Sequence, residues 1–218
     1  MTHHAIIKAS GYCIVPAAGR SSRMGAWKPL LPWGATTVCG AVVETVLRAG
    51  LCPVLVAGYR ASELFDAFAD RPELRLVENP DWERGMLGSI RAGLSSIAAE
   101  AGGPGGASGC FVALADMPRI PVAAFEAVAA EAARLAVEGK PTAVFAALGG
   151  RLGHPVWIPA AMFGGLAALE PDSRLREYLL ASGWDSVEVD DDGIFADLDT
   201  PEAYAASHDA AMRETGNK

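Results

Sequence analysis

The sequence has few of the features that would direct a chain to a membrane, to nucleic acid or to a disulfide scaffold. None of its four cysteines forms a C-x-x-C pair, and no apolar run reaches the ~18 residues that a membrane span needs. The formal net charge is −8, so the chain lacks the general positive potential that nucleic acids and anionic membranes require. We therefore expect neither a membrane span nor a nucleic-acid partner.

The cysteines and the first residues point to the cytoplasm. Each of Cys13, Cys39, Cys52 and Cys110 lies among apolar residues, so we expect small buried side chains in a reducing compartment, with a zinc site as the alternative. The first ten residues do not combine a basic segment with a long apolar run, so we expect no signal peptide. Hydrophobic residues make up 51% of the chain and charged residues 20%, which is enough for a sizeable core.

Continuous apolar strands alternate with amphipathic helices along most of the chain. This alternation predicts a single-domain, Rossmann-like α/β fold, a three-layer αβα sandwich with a mostly parallel sheet. No repeat or linker divides residues 1–218. The predicted strands cover 11–17, 53–58, 74–78, 110–116 and 142–148, with further candidates at 150–158 and 184–190; the predicted helices cover 36–49, 61–69, 86–99 and 121–138.

Two glycine-bearing segments are candidate phosphate sites. The first, Gly19 to Lys28, follows the first strand and brings two arginines and a lysine into one loop of an acidic protein. Backbone N–H groups and clustered cations suit a polyphosphate, although a solvated turn is the alternative. The spacing fits neither G-x-x-x-x-G-K-[ST] nor G-x-G-x-x-G. The second, at 101–109, is predicted to be a surface loop, with a phosphate cradle as the alternative.

Five ordered motifs resemble one family. "AAGRSSRMGAWKPLLP" resembles the A-A-G-x-S-x-R-M-G-x-x-K-x-L signature of the molybdenum cofactor cytidylyltransferases, which activate molybdopterin. "NPDWERGMLGSIRAGL", "LADMP", "GRLGHPVWI" and "DLDTPEAY" resemble later motifs of the same family, so the likeness spans nearly the whole chain. The chain departs from the family pattern at Pro16 and in "LEPDSRLREYL", where Pro171, Arg174 and Leu175 do not match.

The resemblance implies transfer of a nucleotidyl group from an NTP, preferably CTP, to a phosphorylated acceptor with release of pyrophosphate. The implied acceptor is molybdopterin, the cofactor is Mg²⁺ (or Mn²⁺), and a molybdoenzyme could receive the product. It also implies a nucleotide-binding half at about 10–120 and an acceptor-binding half at about 121–205. The unmatched segment keeps two alternatives open: a sugar or polyol phosphate acceptor, or a nucleotide-binding partner without turnover.

The same resemblance implies roles for individual residues. The catalytic set is Lys28, Arg23 and Asp116, the metal ligands are Asp116 and Asp199, and the acceptor-binding residues are His154, Asp172 and Arg176. His154 is expected to be a turn residue that contacts the acceptor or the backbone, with a general-base role as the alternative. The nucleotide is expected to contact Ala17, Ala18, Gly19, Arg20, Arg23, Lys28, Gly85, Met86 and Ser89.

Structural alternatives exist for most of these residues. Asp116 follows an apolar run and suits Mg²⁺, yet it could cap a helix starting near Pro118. Asp199 could likewise only cap the helix that "DTPE" begins, Lys28 could be a surface lysine, and the turn at 85–89 could be an ordinary helix entry. Among the tryptophans, only Trp82 is expected near the nucleotide. The related guanylyltransferases carry Gly-Gly where this chain has Ala18-Gly19, so the methyl group of Ala18 favours a pyrimidine.

Overall fold

The structure is a computed structural model that describes residues 11–100 and 108–216. The predicted glycine-rich loop at 101–109 lies mostly outside these ranges; of its two described residues, Ser108 precedes a strand and Gly109 is the first residue of that strand. None of the helices in the described part of the chain is long and apolar enough to cross a membrane.

A seven-stranded sheet forms the centre of the protein. Its strands are β1 (Tyr12–Pro16), β4 (Cys52–Ala57), β5 (Arg75–Glu78), β6 (Gly109–Val112), β7 (Ala143–Leu148), β8 (Arg151–Pro159) and β9 (Trp184–Glu188). They lie in the order β5-β4-β1-β6-β8-β7-β9. Only β8 runs antiparallel to its neighbours β6 and β7. A separate two-stranded sheet pairs β2 (Pro32–Trp33) with β3 (Thr36–Thr37).

Helices cover both faces of the large sheet. They are α1 (Val38–Arg48), α2 (Ala61–Ala67), α3 (Met86–Glu100), α4 (Val122–Val137), α5 (Phe163–Ala168), α6 (Leu175–Ser182) and α7 (Pro201–Gly216). One core contains Val42 of α1 and Phe125 of α4, and the other contains Ile90 of α3 and Leu179 of α6. The predicted three-layer α/β fold with a mostly parallel sheet is therefore confirmed.

Most of the predicted elements lie within two residues of the observed ones. The predicted start of the first helix is too early, because Thr36 and Thr37 form β3 and the Thr37 hydroxyl caps α1 by accepting from the Gly40 N–H at 3.0 Å. Helices α5 and α6 were not predicted. Both are short, and each packs one apolar stripe against the second core through Leu166 or Leu179.

The predicted strand at 110–116 is wrong at its end, because β6 stops at Val112. Val112, opposite Val156 of β8, is the last residue of β6 that pairs with that strand, and only the Ala113 N–H still bonds to the sheet, through the Ile14 carbonyl of β1 at 3.1 Å. The chain then turns, with the Met117 N–H donating to the Leu114 carbonyl. Asp116 therefore lies in a turn four residues beyond the strand, still at the carboxyl edge of the parallel strands, where α/β sheets bind ligands.

Candidate active site

The loop after β1 is held against the sheet at its start. The Ala17 N–H donates to the Val56 carbonyl at 2.8 Å, and the Ala18 carbonyl accepts from the Tyr59 N–H at 3.0 Å. Further along, Met24 and Trp27 are buried, so they anchor the loop between its cations. Ser21 takes a left-handed conformation (φ 56°), and its hydroxyl accepts from the Lys28 N–H at 3.2 Å. Burial and these bonds give the loop a fixed path.

A cavity of about 520 Å³ opens at this edge of the sheet. The predicted nucleotide and metal residues that line it are Ala17, Ala18, Gly19, Arg23, Lys28, Gly85, Met86, Ser89, Asp116 and Asp199. Residues from the start, middle and end of the chain thus meet in one cavity. Arg20 is the predicted residue that does not line the cavity: its guanidinium lies over Trp82, 4.8 Å from the ring centroid, and pairs with Glu83 at 2.6 Å.

An ionic cluster forms one wall of the cavity. The Lys28 ammonium lies 2.8 Å from an oxygen of Asp116 and 2.7 Å from an oxygen of Asp199, and Arg23 lies 2.7 Å from the other oxygen of Asp199. Only 8% of the Lys28 side chain is exposed, so the alternative of a surface lysine is wrong. The two carboxylates converge on a single cationic position.

The cluster sets the ionisation of its members. Burial by itself lowers the pKa of Lys28, but hydrogen bonds to Asp116 and Asp199 outweigh burial and raise this pKa above its usual value. The hydrogen bond from Lys28 in turn lowers the pKa of the Asp199 carboxyl. At neutral pH Lys28 and Asp199 are therefore both charged.

The backbone around the carboxylates fixes their separation. The Leu198 N–H donates to the Asp116 carbonyl at 3.1 Å, which ties the two aspartate segments together. Leu198 itself is fully buried beside Trp33 and Val38. The Thr200 hydroxyl caps α7 by accepting from the Ala203 N–H, so capping is not the role of the Asp199 side chain. Asp116 caps no helix either, since α4 begins at Val122 after Pro121.

A second cavity of about 460 Å³ adjoins the first and shares Glu83, Gly85 and Met86 with it. The predicted acceptor residues His154, Asp172 and Arg176 all line it, together with apolar side chains such as Phe145. Its three arginines, Arg84, Arg174 and Arg176, outnumber its two carboxylates, Glu83 and Asp172, by one. It has the size and chemistry for a partly apolar, anionic molecule.

His154 lies in β8 rather than in the predicted turn. Its Nδ1 lies 3.4 Å from the Val112 carbonyl oxygen. Burial lowers the pKa of the imidazole, and the backbone contact offsets this only in part. His154 is therefore a neutral group facing the second cavity at physiological pH.

The sequence prediction missed two acidic residues that line the first cavity, Glu83 and Asp197. Trp82, which was expected near the nucleotide, also lines this cavity. Asn79 lies behind the wall, where its side chain donates to the Ser89 hydroxyl at 3.1 Å. The "NPDW" motif carried the signal for Asn79, but it gave no sign of which side chain the amide would contact.

The cysteines do not form a metal site. Cys13, Cys39 and Cys110 are buried, and burial raises the pKa of Cys39 and of Cys110 to about 12. Within residues 11–100 and 108–216, no three His, Cys, Asp or Glu side chains are grouped so that they could hold a metal ion. The described cysteines are therefore thiols of the hydrophobic core and its border.

The sheet order, the cationic loop after β1 and the facing carboxylates are those of an NTP transferase. Residues 13–187 match the MobA-like NTP transferase domain, and the chain belongs to this family. It is 31% identical over 195 residues to the molybdenum cofactor cytidylyltransferase of Escherichia coli K12, a match that covers 88% of this chain and 92% of that protein.

The chain is also similar to a protein named as an oxidoreductase and to solved mycobacterial structures. The chain is 28% identical over 201 residues to nicotine blue oxidoreductase of Paenarthrobacter nicotinovorans, covering 87% of this chain and 92% of that protein. The Mycobacterium sp. strain JC1 homologue of Mycobacterium tuberculosis Rv0371c is 25% identical, with a TM-score of 0.76 over 94% of this chain and 98% of that one. A manganese complex of Rv0371c itself is 25% identical, with a TM-score of 0.66 over 90% and 96% of the two chains.

Proposed function

We propose that this protein transfers a cytidylyl group from CTP to the phosphate of molybdopterin in the cytoplasm and releases pyrophosphate. The observation that carries the proposal is the ionic cluster of Lys28, Arg23, Asp116 and Asp199 in the wall of the first cavity. The similarity to the Escherichia coli cytidylyltransferase supports the choice of nucleotide and acceptor.

The first cavity is the proposed nucleotide site. The backbone from Ala17 to Gly19 and the side chain of Arg23 would hold the triphosphate, while Gly85, Met86 and Ser89 would contact the base. Gly85 has a positive φ of 104°, a conformation that a side chain would strain, and it leaves the turn before α3 open to the cavity. Arg20 would reach the phosphates only by leaving Glu83, so we assign it a smaller share of binding.

Asp116 and Asp199 fit a divalent metal. The Lys28 ammonium already lies within hydrogen-bonding distance of both carboxylates, which shows that their oxygens face one cationic position. Carboxylate oxygens are the ligands that Mg²⁺ and Mn²⁺ prefer. A bound ion would neutralise charge on the triphosphate, and the two aspartates are the residues that would hold it.

The transfer itself needs no protein nucleophile. A phosphate oxygen of the acceptor attacks the α-phosphorus of CTP and forms a new P–O bond. The bond from the α-phosphorus to the bridging oxygen breaks, and its electron pair leaves with pyrophosphate. Lys28 is placed to stabilise the negative charge that develops on these oxygens, so positioning and charge carry the catalysis.

The second cavity is the proposed acceptor site. Its contact with the first cavity at Gly85 and Met86 would bring the acceptor phosphate beside the nucleotide. Arg174 and Arg176 supply charge for a phosphate, and Phe145 supplies an apolar face for a ring system. We infer that His154 and Asp172 contact polar groups of the acceptor.

Pyrophosphate release with a panel of nucleotides and acceptors tests the proposal. We expect turnover with CTP, Mg²⁺ and molybdopterin, and little with sugar or polyol phosphates. Turnover confined to a sugar or polyol phosphate would show that this phosphate, and not molybdopterin, is the acceptor. CTP binding without turnover on any acceptor would make the protein a nucleotide-binding partner instead.

Arg23→Ala tests the phosphate role of the loop. We expect this variant to weaken CTP binding ~10-fold while cytidine binding stays nearly unchanged, because the lost contacts are to the triphosphate. Arg48→Ala, at the end of α1, is the matched control and should bind CTP like the wild type. Equal losses for cytidine and CTP in a calorimetric titration would contradict the phosphate role.

A further inference from the structure

The buried pair of Asn79 and Ser89 stands between the sheet and the first cavity. Asn79 follows β5, and its N–H donates to the Ala57 carbonyl at 2.8 Å, so its backbone extends the sheet. Its side chain packs on the first turn of α3, where a Cβ added at Gly88 would lie 3.3 Å from Nδ2. Asn79 is 5% exposed and Ser89 is 2% exposed, which makes them two of the few buried polar residues of the described chain.

Two hydrogen bonds fix the orientation of the Asn79 amide. The Asp81 N–H donates to Oδ1 at 3.1 Å, and because a backbone N–H can only donate, the oxygen must lie on that side. The Nδ2 group therefore faces Ser89 and donates to its Oγ at 3.1 Å. The polarity of the pair is thus set by the backbone.

The direction of this hydrogen bond determines which further hydrogen bond the Ser89 hydroxyl can form. A serine hydroxyl has one hydrogen to donate, and here its oxygen is already used as an acceptor. Within the described residues, the hydroxyl hydrogen has no protein acceptor, and Ser89 lines the first cavity. The hydrogen is therefore available to a ligand group that accepts a hydrogen bond.

We propose that Asn79 is a positioning residue that holds Ser89 as a hydrogen-bond donor to the nucleobase and so selects bases with an acceptor at that edge. This inference rests on the proposed function, because it takes the first cavity as the nucleotide site. Cytosine presents O2 and N3 as acceptors, whereas the edge of guanine that carries N1–H and the 2-amino group would set donor against donor. A buried donor left without a partner weakens binding.

Asn79→Asp reverses the pair with almost no change in shape. The introduced carboxylate can only accept, so Ser89 would donate to it and withdraw the hydroxyl hydrogen from the cavity. We expect CTP affinity to fall at least ~10-fold more than the affinity for inorganic tripolyphosphate, which has no base and reports any general charge effect. In a Ser89→Ala background the same substitution should change CTP affinity less than ~2-fold, because the group it acts through is gone.

Calorimetric titrations with CTP and tripolyphosphate separate the outcomes. Equal losses for both ligands, or the same loss with and without the Ser89 hydroxyl, would overturn the positioning role. If wild type binds CTP no better than tripolyphosphate, the proposed nucleotide site itself fails. Should Asn79→Asp not fold, Ser89→Ala decides: it must lose CTP affinity while Ser95→Ala on the exposed side of α3 does not, and full affinity in Ser89→Ala would overturn the inference.

Discussion

The two cavities at the carboxyl edge of the sheet are built differently. In the first, Lys28 is 8% exposed and held by two carboxylates, and the aspartate segments are joined by a backbone hydrogen bond. In the second, Arg174 and Arg176 are exposed, and Arg176 reaches the Leu152 carbonyl only at 3.4 Å and 3.5 Å. A preorganised site suits chemistry common to a family, while exposed, loosely held cations suit an acceptor that can differ between relatives.

Asp116→Asn tests whether the first cavity performs the chemistry. We expect turnover to fall at least ~100-fold, about 2.7 kcal/mol, with every acceptor, because the proposed metal would lose a ligand. EDTA should abolish turnover of the wild type. Asp66→Asn, on the exposed side of α2, is the matched control. Its rates, measured with Mg²⁺, should equal those of the wild type. Full activity in EDTA would contradict the metal role.

Lys28→Met tests the ionic cluster through stability. Removing the lysine leaves two facing carboxylates without their cation, which we expect to cost about 2 kcal/mol in the free energy of unfolding at pH 7. Because Lys28 lowers the pKa of Asp199, the stabilisation is present above the ordinary pKa of an aspartate and is lost as pH falls through the lower, folded value.

The difference between wild type and Lys28→Met should therefore shrink below about pH 4. Urea unfolding at several pH values measures it. A difference that stays constant from neutral to acid pH would mean that the lysine stabilises the fold by packing and not by charge.

Arg176→Ala tests the second cavity. We expect KM for the acceptor to rise ~10-fold while KM for CTP changes little, because Arg176 lines the second cavity and not the first. Steady-state rates with each substrate varied in turn give both constants. Arg151→Ala is a control in β8 outside that cavity. An increase in KM for CTP as large as that for the acceptor would contradict the proposal that the two cavities bind different substrates.

Ala18→Gly tests the base preference with the smallest expected effect. We expect wild type to prefer CTP over GTP by ~10-fold or more in kcat/KM, and the variant to narrow this preference ~3-fold, because the lost methyl group leaves room for a purine. Ala18 is 6% exposed and lines the first cavity. A wild-type preference for GTP would show that the assignment to cytidine is wrong.

Sequence periodicity predicted the fold well because the strands are continuous apolar runs that are buried on both faces. Val54, Leu55 and Val56 of β4, for example, are all fully buried, a pattern that admits few other structures. Short elements were missed: α6 has eight residues and contributes one fully buried apolar side chain, Leu179, to the core. The stability of such a short helix comes from tertiary packing more than from the helix propensity of its own sequence.

The candidate site was predicted by composition and motif, but its contacts were not. Asp116 was expected at the end of a strand, but that strand ends at Val112, where its pairing with β8, which is distant in sequence, stops. Arg20 was expected to face a phosphate, yet it stacks on Trp82 and pairs with Glu83, which lies 63 residues away. Such long-range choices depend on which partners the fold brings near, and spacing along the chain does not encode them.

Following the α-phosphate of CTP tests the central claim most directly. Wild-type protein is incubated with Mg²⁺, molybdopterin and CTP labelled with ³²P at the α-phosphate, and the products are separated. We expect the label to appear in a cytidylylated acceptor, with the β- and γ-phosphates released together as pyrophosphate. Label found only in CMP, orthophosphate released in place of pyrophosphate, or equal label transfer in Asp116→Asn would contradict the account.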